Sequence, residues 1–349
     1  MTNLFIKILD WVQSFVGNYG WSVVVFTLII KLCLLPLDIK SRKSMRAMSL
    51  LNPKMEELKK RYANDQEKLN KKMGELYKKE KVSPLSGCLP LLIQLPILYI
   101  MFAAMRHVAA RMQLTVVYNF ISNNLVDGEG NFMLLENIQP VIESLKEGTM
   151  SFGDTQSWLW IKSVFQPDNF ARTVFPTITE LTTALKQYPT ELAEDAMQLI
   201  TMYANDTNGL ASAVDGAIAT NVNYYSFNLF LNWFPIHFPR NWTNYVNGYY
   251  ILPVLALATQ ILTTKLQPAD NGAGDQAQNS TGKFMKWFFP ILSLWICTSS
   301  NAAFSIYWVF VNIWGIVTNF IINKYLEMQD KRTKKGDSSP DTTKEALQP

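Results

Sequence analysis

The chain has 349 residues, of which 48% are hydrophobic and 17% charged, with a formal net charge of +4. Its two histidines and three cysteines are scattered along the sequence, which argues against a disulfide framework, a metal centre and histidine-based catalysis. The mean hydropathy is only +0.03 because strongly apolar stretches alternate with polar ones.

Residues 1–18 predict an amphipathic helix on the outer surface of a membrane. Phe5, Leu9 and Val16 recur at helical spacing, while Lys7 interrupts the apolar run. A signal peptide would need an uninterrupted apolar core and a small-residue cleavage site, and the segment has neither. We therefore interpret it as an uncleaved interfacial helix.

Five apolar stretches follow, and each is predicted to cross the membrane. About 20 apolar residues in a helix span the hydrocarbon core of a bilayer. The polar sequence Ser299-Ser300-Asn301 separates the last two stretches and predicts a tight turn between two helices. The predicted spans are residues 19–37, 85–105, 249–266, 284–300 and 302–322.

The distribution of lysine and arginine predicts the orientation of these spans. Residues 38–82 carry 14 basic and 7 acidic residues, whereas residues 106–248 carry 7 basic and 13 acidic ones. Because basic residues accumulate in cytoplasmic loops, the first segment is predicted inside and the second outside. The N-terminus then lies outside, and the loop 267–283 and the basic, partly disordered tail 323–349 lie in the cytoplasm.

Residues 38–84 predict a cytoplasmic helical hairpin, called the basic hairpin below. Apolar residues recur every three or four positions on both sides of a turn at Asn64 and Asp65. The simplest interpretation is that the two apolar faces pack against each other. Flexible methionine side chains also suit surfaces that receive varied apolar segments of client proteins. Both interpretations remain open for the candidate client-binding residues Met45, Met48, Met55 and Met73.

Lys31 is the one charged residue inside the first predicted span. A lysine at the centre of a membrane helix costs about 2.5–3.5 kcal/mol on insertion scales. Such a residue is retained where it faces a partner, a water-filled cavity or a substrate path, so Lys31 is our first candidate functional residue. The alternative is that its long side chain only snorkels towards the basic residues at the inner interface.

Three motifs in this chain resemble one protein family. Residues 82–97 read VSPLSGCLPLLIQLPI, residues 15–20 read FVGNYG and residues 305–312 read SIYWVFVN. Together they resemble the YidC family of membrane protein insertases, whose relatives include the insertases of mitochondria and chloroplasts. The resemblance extends over the five predicted spans and the basic hairpin.

The resemblance implies five helices around a polar groove that is open to the cytoplasm and to lipid. Members of the family usually carry arginine at the position of Lys31. A buried lysine can lose its proton, whereas an arginine effectively cannot, so the charge at this position of the chain depends on its surroundings. The predicted groove residues are Lys31, Thr27, Gln94, Tyr307, Trp308 and Asn312.

The sequence and the resemblance together predict an all-α polytopic protein of the bacterial plasma (inner) membrane. Its predicted function is to pass apolar segments of nascent membrane proteins through the groove into lipid, with or without a Sec translocon. Nascent membrane proteins and the lipid bilayer are the expected partners, the ribosome and the Sec translocon are further candidates, and DNA is not expected. We expect no enzymatic activity, no metal and no cofactor, and the sequence contains no phosphate-binding loop of the G-x-x-x-x-G-K-[S/T] type.

Three questions remain open from the sequence. Two inserts outside the membrane, residues 111–156 and 170–247, could be a peptide-docking cap, a partner-binding module or a passive elaboration, and helical patterns occur at 178–186 and 191–203. A secondary transporter could use Lys31 as the counter-charge of an anionic solute, but it would normally contain internal repeats. An intramembrane hydrolase would need acidic residues or histidine in the spans, which contain none.

Overall fold

The computed structural model describes residues 2–80, 89–187, 192–206, 208–222, 224–229, 234–239, 245–266 and 275–337. Helices dominate these residues, which confirms the helical character predicted from the sequence. The helices are α1 (Thr2–Val16), α2 (Tyr19–Arg61), α3 (Gln66–Lys79), α4 (Leu89–Asn124), α5 (Gln139–Glu147), α6 (Ile178–Gln187), α7 (Glu194–Ala204), α8 (Leu210–Asn221), α9 (Ile251–Leu266), α10 (Asp275–Ser299) and α11 (Ala302–Asp337).

A β-hairpin between α8 and α9 departs from this helical pattern. Its antiparallel strands are β1 (Tyr224–Leu229) and β2 (Phe234–Pro239), paired from Tyr224 opposite Pro239 to Leu229 opposite Phe234. Aromatic residues favour strands, and proline ends a helix because it lacks the backbone donor that a helix requires. The described fold is therefore mainly α-helical, with one short hairpin in addition.

Helix α2 joins the first predicted span to the basic hairpin without a break. The Asn18 side chain accepts a hydrogen bond from the Trp21 amide and so caps the start of the helix. Pro36 and Pro53 both lie inside the helix. The first arm of the hairpin is therefore a direct helical continuation of the first predicted span.

The bundle core is formed by α2, α9, α10, α11 and the first half of α4, with α1 packed on one side. Val23, Met101, Ala256 and Tyr307 are among its fully buried residues. The tight turn predicted between the last two spans is confirmed, since α10 ends at Ser299 and α11 begins at Ala302. The Asn301 side chain accepts a hydrogen bond from the Phe304 amide and caps α11.

Two of the described helices are long and apolar enough to cross a membrane, namely α2 and the part of α11 from Ala302 to Gln329. In their most apolar stretches only 33% and 44% of the residues are buried, so much of their apolar surface faces outwards. Shorter apolar helices are α9 and the Trp287–Ser299 part of α10. The arrangement of five spans thus remains a prediction.

A second hydrophobic core belongs to a small helical domain, called the cap below. Helix α4 continues past residue 105, the predicted end of the second span. Its second half packs against α6 and α7 and shares a core with α5 and α8, which pack on each other. The helical patterns noted at 178–186 and 191–203 correspond to α6 and α7. Most of the described part of the two inserts is therefore folded around a shared core, whose fully buried members include Leu114, Ile121, Phe175, Ile200 and Val214.

The basic hairpin has its own small core. A turn at Tyr62–Asn64 separates α2 from α3, and Asp65 caps α3 by accepting a hydrogen bond from the Lys68 amide. Met55 and Met73 are buried between the two helices, with Leu69 and Leu76 packed around them. The two apolar faces therefore pack against each other, as the simplest interpretation of the sequence predicts.

Asp168 joins the cap to the bundle. Its buried carboxylate accepts hydrogen bonds from the backbone amides of Tyr249 at 2.6 Å and Leu252 at 2.7 Å, and from the Trp160 indole at 3.2 Å. These amides lie at the start of α9, where unpaired N–H groups and the positive end of the helix dipole favour a negative charge. Asp168 thus holds the first turn of α9 against the segment that leads into the cap.

Candidate functional site

Lys31 lies at a junction of three helices. Its side chain is only 9% exposed, and Nζ donates a hydrogen bond of 2.8 Å to Oε1 of Gln94 on α4. The other end of the same amide, Nε2 of Gln94, donates a hydrogen bond of 3.1 Å to the hydroxyl of Tyr307 on α11. The structure therefore brings together three of the six predicted groove residues in a continuous chain of hydrogen bonds, called the Lys31 cluster below.

Several hydrogen-bond donors of the Lys31 cluster have no acceptor within the part of the chain that the structure describes. The ammonium group of lysine has three donors, and one of them is used by Gln94. The Tyr307 hydroxyl accepts from Gln94, so its own hydrogen remains available to another acceptor. Trp308, the next residue of α11, is not part of this chain of hydrogen bonds; its ring packs on Phe304, and its buried Nε1 makes no hydrogen bond within the described residues. Such a site suits a ligand that supplies acceptors, above all carboxylates and carbonyls.

The charged neighbours of Lys31 lie further along its own helix. Asp38, two helical turns away on α2, attracts the lysine charge, while Arg42 repels it. The direct hydrogen-bond partner of Lys31 is the neutral amide of Gln94. The positive charge is therefore balanced at a distance rather than by a contact ion pair among the described residues, which keeps it available to an incoming anion.

Thr27 and Asn312 occupy different positions from the Lys31 cluster. The buried Thr27 hydroxyl donates to the Val23 carbonyl of its own helix at 2.7 Å, so its hydrogen is already used. Asn312 donates from Nδ2 to the Thr259 hydroxyl at 3.2 Å and so links α11 to α9. Thr27 lies one turn before Lys31 on α2, whereas Asn312 makes its contact on another side of the bundle.

A second polar junction was missed by the sequence analysis. Arg42 of α2 donates from Nη1 to Oδ1 of Asn319 at 2.7 Å and from Nη2 to the Gly315 carbonyl at 3.1 Å. Asn319 in turn donates to the Leu266 carbonyl at the end of α9 at 2.9 Å. The spacing of Asn312, Asn319 and Asn323 could have predicted this junction, because it places three side-chain amides on one face of α11.

The candidate client-binding methionines differ in their accessibility. Met55 is fully buried, and Met73 is 8% exposed, so in this conformation both face the interior of the basic hairpin. Met48 is partly buried at the edge of the same core, and the side chain of Met45 lies outside the part of the chain that the structure describes. Among the described side chains of the first arm, Leu50 is exposed at 70%, and the sequence analysis did not select it.

No cluster of three or more histidine, cysteine, aspartate or glutamate side chains that could hold a metal ion occurs within the described ranges. Cys297 is buried in the bundle, and Cys33 is exposed on α2. The polar groups of the Lys31 cluster are a lysine, an amide and a phenol, which are suited to binding and to positioning a polar segment.

Comparison with known proteins identifies relatives of this chain. The model of the family described as 60Kd inner membrane protein matches residues 11–232 and 225–331. A membrane protein insertase YidC from Fusobacterium nucleatum subsp. nucleatum is 48% identical over 99 residues, which are 28% of this chain and 48% of that protein. The YidC of Aromatoleum aromaticum is 47% identical over 90 residues, which are 26% of this chain and 16% of that protein.

Each aligned segment covers less than half of the relative's length. The similarity therefore supports a shared family but does not extend over the whole of either relative. The family match, in contrast, extends over most of the chain, from α1 through the cap to α11. On this evidence the chain belongs to the 60Kd inner membrane protein family and is a member of the YidC family.

Proposed function

We propose that this protein is a membrane protein insertase of the bacterial inner membrane and that the Lys31 cluster contacts the polar segment of its client. The observation that carries the proposal is the buried lysine whose hydrogen-bond partner is a neutral amide. Burial of a charge without a contact ion pair is costly, so a lysine is retained there when it has a ligand to bind. The relatives named YidC support the same function.

In the proposed topology, five spans cross the membrane with the N-terminus and the cap outside and the basic hairpin and C-terminus in the cytoplasm. The excess of basic residues in the hairpin supports this orientation, since 14 basic and 7 acidic residues lie between residues 38 and 82. The second and fourth spans are α4 and α10, both of which also contain residues outside the bilayer. The groove then opens between α2, α4 and α11 around the Lys31 cluster.

Insertion then proceeds without covalent chemistry. An apolar client segment meets the basic hairpin, and its short polar tail enters the groove, where Lys31, Tyr307 and Trp308 offer hydrogen-bond donors. Donors inside the bilayer lower the cost of moving carbonyls and carboxylates out of water. Release is favoured as the apolar segment enters lipid, at about 25 cal/mol per Å² of apolar surface that leaves water. Nascent chains are the clients, and the ribosome and the Sec translocon are the proposed partners that deliver them.

Substitutions of Lys31 separate the role of charge from that of polarity. If the charge attracts acidic tails, Lys31→Arg retains insertion, Lys31→Gln loses it mainly for clients with acidic tails, and Lys31→Glu is worst because like charges repel in a weakly screened site. If Lys31 only keeps the groove hydrated, Lys31→Gln works nearly as well as the wild type for every client. If it only snorkels, even Lys31→Leu is tolerated.

The assay measures insertion of matched clients whose translocated tails differ only in the number of acidic residues. Protease protection of the tail is scored at equal abundance of each insertase variant. Lys40→Gln is the matched control, because it removes the same charge from an exposed position of the same helix. Equal insertion by the Lys31→Leu and wild-type proteins across the whole series would refute a functional role for Lys31.

A second experiment tests the basic hairpin. Deletion of residues 55–78 removes its small core around Met55 and Met73 but leaves the bundle core and the cap core intact. We expect the protein to remain folded in the membrane and to lose insertion of single-span clients, because the first contact with the client is lost. If the deletion variant inserts clients as well as the wild type, the hairpin does not bind clients, and its basic residues serve only to set the orientation of the protein in the membrane.

A further inference from the structure

A strained turn with an exposed leucine lies next to the beginning of α2. Trp158 and Ile161 exchange two backbone hydrogen bonds, of 2.8 Å and 2.9 Å, across the two-residue turn Leu159–Trp160. Leu159, the first central residue, has a φ of +51°. Glycine is the usual residue where the first position of such a turn needs a positive φ. A leucine there costs about 1–2 kcal/mol in backbone strain.

The side chain of Leu159 is also exposed, with 65% of its surface accessible. In water this residue would thus be unfavourable twice, once for its backbone and once for its apolar side chain. A glycine or an asparagine would relieve both costs. An apolar medium around the side chain would remove the second of these costs.

The turn is fixed to the first residues of α2. The ring of Trp158 lies directly against Gly20, where a Cβ atom would be only 2.3 Å from Cγ of the indole. The Asn18 side chain donates to the Ser157 carbonyl at 2.8 Å. Trp158 also packs edge-on against Trp21 at 5.5 Å between ring centroids. The position of Leu159 is therefore set by the start of the first apolar helix.

Two further helices begin beside the same segment. The backbone amides of Ala302 and Ala303, at the start of α11, donate to the carbonyls of Gln166 and Val164 at 2.9 Å and 2.8 Å. Asp168 holds the start of α9, as described above. Since α2, α9 and α11 all start at this level, residues 156–168 lie where the apolar part of the bundle ends. In a membrane protein this level is the interface between hydrocarbon and lipid headgroups.

The surface around the turn has the composition of such an interface. Trp21 is 47% exposed, and Trp11 and Phe15 of the adjacent helix α1 are 60% and 73% exposed. Tryptophan is enriched at membrane interfaces because its indole combines an apolar body with a polar N–H group. Leu159 thus adds an exposed apolar side chain near the start of α2, where the amphipathic helix that the sequence predicts to lie on the membrane also ends.

We propose that the Leu159–Trp160 turn is a membrane-interface anchor that inserts the Leu159 side chain among the lipid chains of the leaflet on the side of the cap. The lipid covers the exposed leucine and so offsets the strain at its backbone. The anchor holds the segment that joins the bundle to the cap at a fixed depth. This inference depends on the chain spanning a membrane and is independent of the proposed insertase activity.

The test measures the environment of residue 159 in lipid nanodiscs that contain one copy of the protein each. The variant Leu159→Cys is made in a background with Cys33→Ala, Cys88→Ala and Cys297→Ala. Leu134→Cys, in the same background, is the matched control, because Leu134 is 66% exposed but belongs to the cap, in the segment between α4 and α5. Equal unfolding midpoints of the two variants and the background establish that the fold is unchanged.

A polar maleimide is the first probe, since it reacts with thiolates in water and not with thiols in hydrocarbon. We expect Leu134→Cys to be labelled at least about tenfold faster than Leu159→Cys, because burial in an apolar medium suppresses thiolate formation. Equally fast labelling of both residues overturns the proposal. The nanodisc exposes both membrane faces, so the orientation of the protein does not affect the comparison.

A nitroxide attached to each cysteine before reconstitution is the second probe, and it distinguishes lipid from protein. In lipid, the label on residue 159 collides more with oxygen, which dissolves in hydrocarbon, than with a water-soluble nickel chelate, and the label on residue 134 shows the reverse. Low collision rates with both reagents at residue 159 would mean that protein covers the turn. That result would also overturn the proposal, whatever the insertion activity of the variant.

Discussion

Replacement of Asp168 by asparagine should destabilise the junction between the cap and the bundle. Both carboxylate oxygens are used, since Oδ1 accepts from Tyr249 and Oδ2 accepts from Leu252 and Trp160. An asparagine has a single side-chain oxygen, so its NH₂ group must face at least one of these N–H donors. The substitution thus leaves a buried backbone donor unpaired while changing the volume of the side chain very little.

The cost follows from the character of the bond that is lost. A hydrogen bond to a charged group contributes about 1.5–3 kcal/mol, and the helix dipole adds about 0.3–1 kcal/mol at the start of α9. Removing the charge also removes the cost of burying a carboxylate, which offsets part of the loss. The three donors on Asp168 make the loss the larger effect, so we expect a net destabilisation of about 2 kcal/mol.

The assay is thermal unfolding of the purified protein in lipid nanodiscs, followed by circular dichroism. Asp65→Asn is the matched control, because Asp65 caps an exposed helix and asparagine is an equally good N-cap there. We expect the control to unfold at the wild-type midpoint and Asp168→Asn to unfold several degrees lower. An Asp168→Asn midpoint equal to that of the control would show that Asp168 does not stabilise the start of α9.

Three further predictions concern other parts of the fold. Gly20→Ala should lower the stability of the folded protein by about 1–3 kcal/mol in the same unfolding assay, because the new methyl group would overlap the Trp158 ring. Gly216→Ala is the control, since a methyl group there meets open space and should leave stability unchanged or raise it. Met55→Ala should loosen the basic hairpin by about 2–5 kcal/mol, seen as faster amide exchange in α3, and unchanged exchange would contradict its burial. Burial raises the pKa of Asp215, so the folded state binds its proton more readily than the unfolded state. Stability should therefore fall as the pH rises from the ordinary carboxyl pKa to the raised pKa of the folded state. Asp215→Asn should remove that pH dependence and stabilise the cap at neutral pH, while an unchanged pH profile would contradict the effect of burial.

Many local features follow from the sequence because they depend on residues close to one another in the chain. Short sequence patterns of a few residues predict the start of α3 at Asp65, the tight turn before Ala302, and helices α6 and α7. The amide spacing along α11 is of the same kind. Helix ends were less predictable, since α4 and α11 continue well beyond the apolar residues that define their predicted spans.

The partners of the polar side chains were decided by the tertiary structure. Lys31 was recognisable as an unusual residue, but Gln94 and Tyr307 are 63 and 276 positions further along the chain, and their hydrogen bonds exist only because α2, α4 and α11 pack together. The residues before α9 are Gly248, Tyr249 and Tyr250, none of which has the side chain of a good N-cap. The missing acceptor for the Leu252 amide is the carboxylate of Asp168, 84 residues earlier in the chain. Sequence patterns report local backbone preference and the polarity of a face, whereas the identity of a buried polar partner depends on which faces finally meet, because only a packed interior forces each donor to find an acceptor.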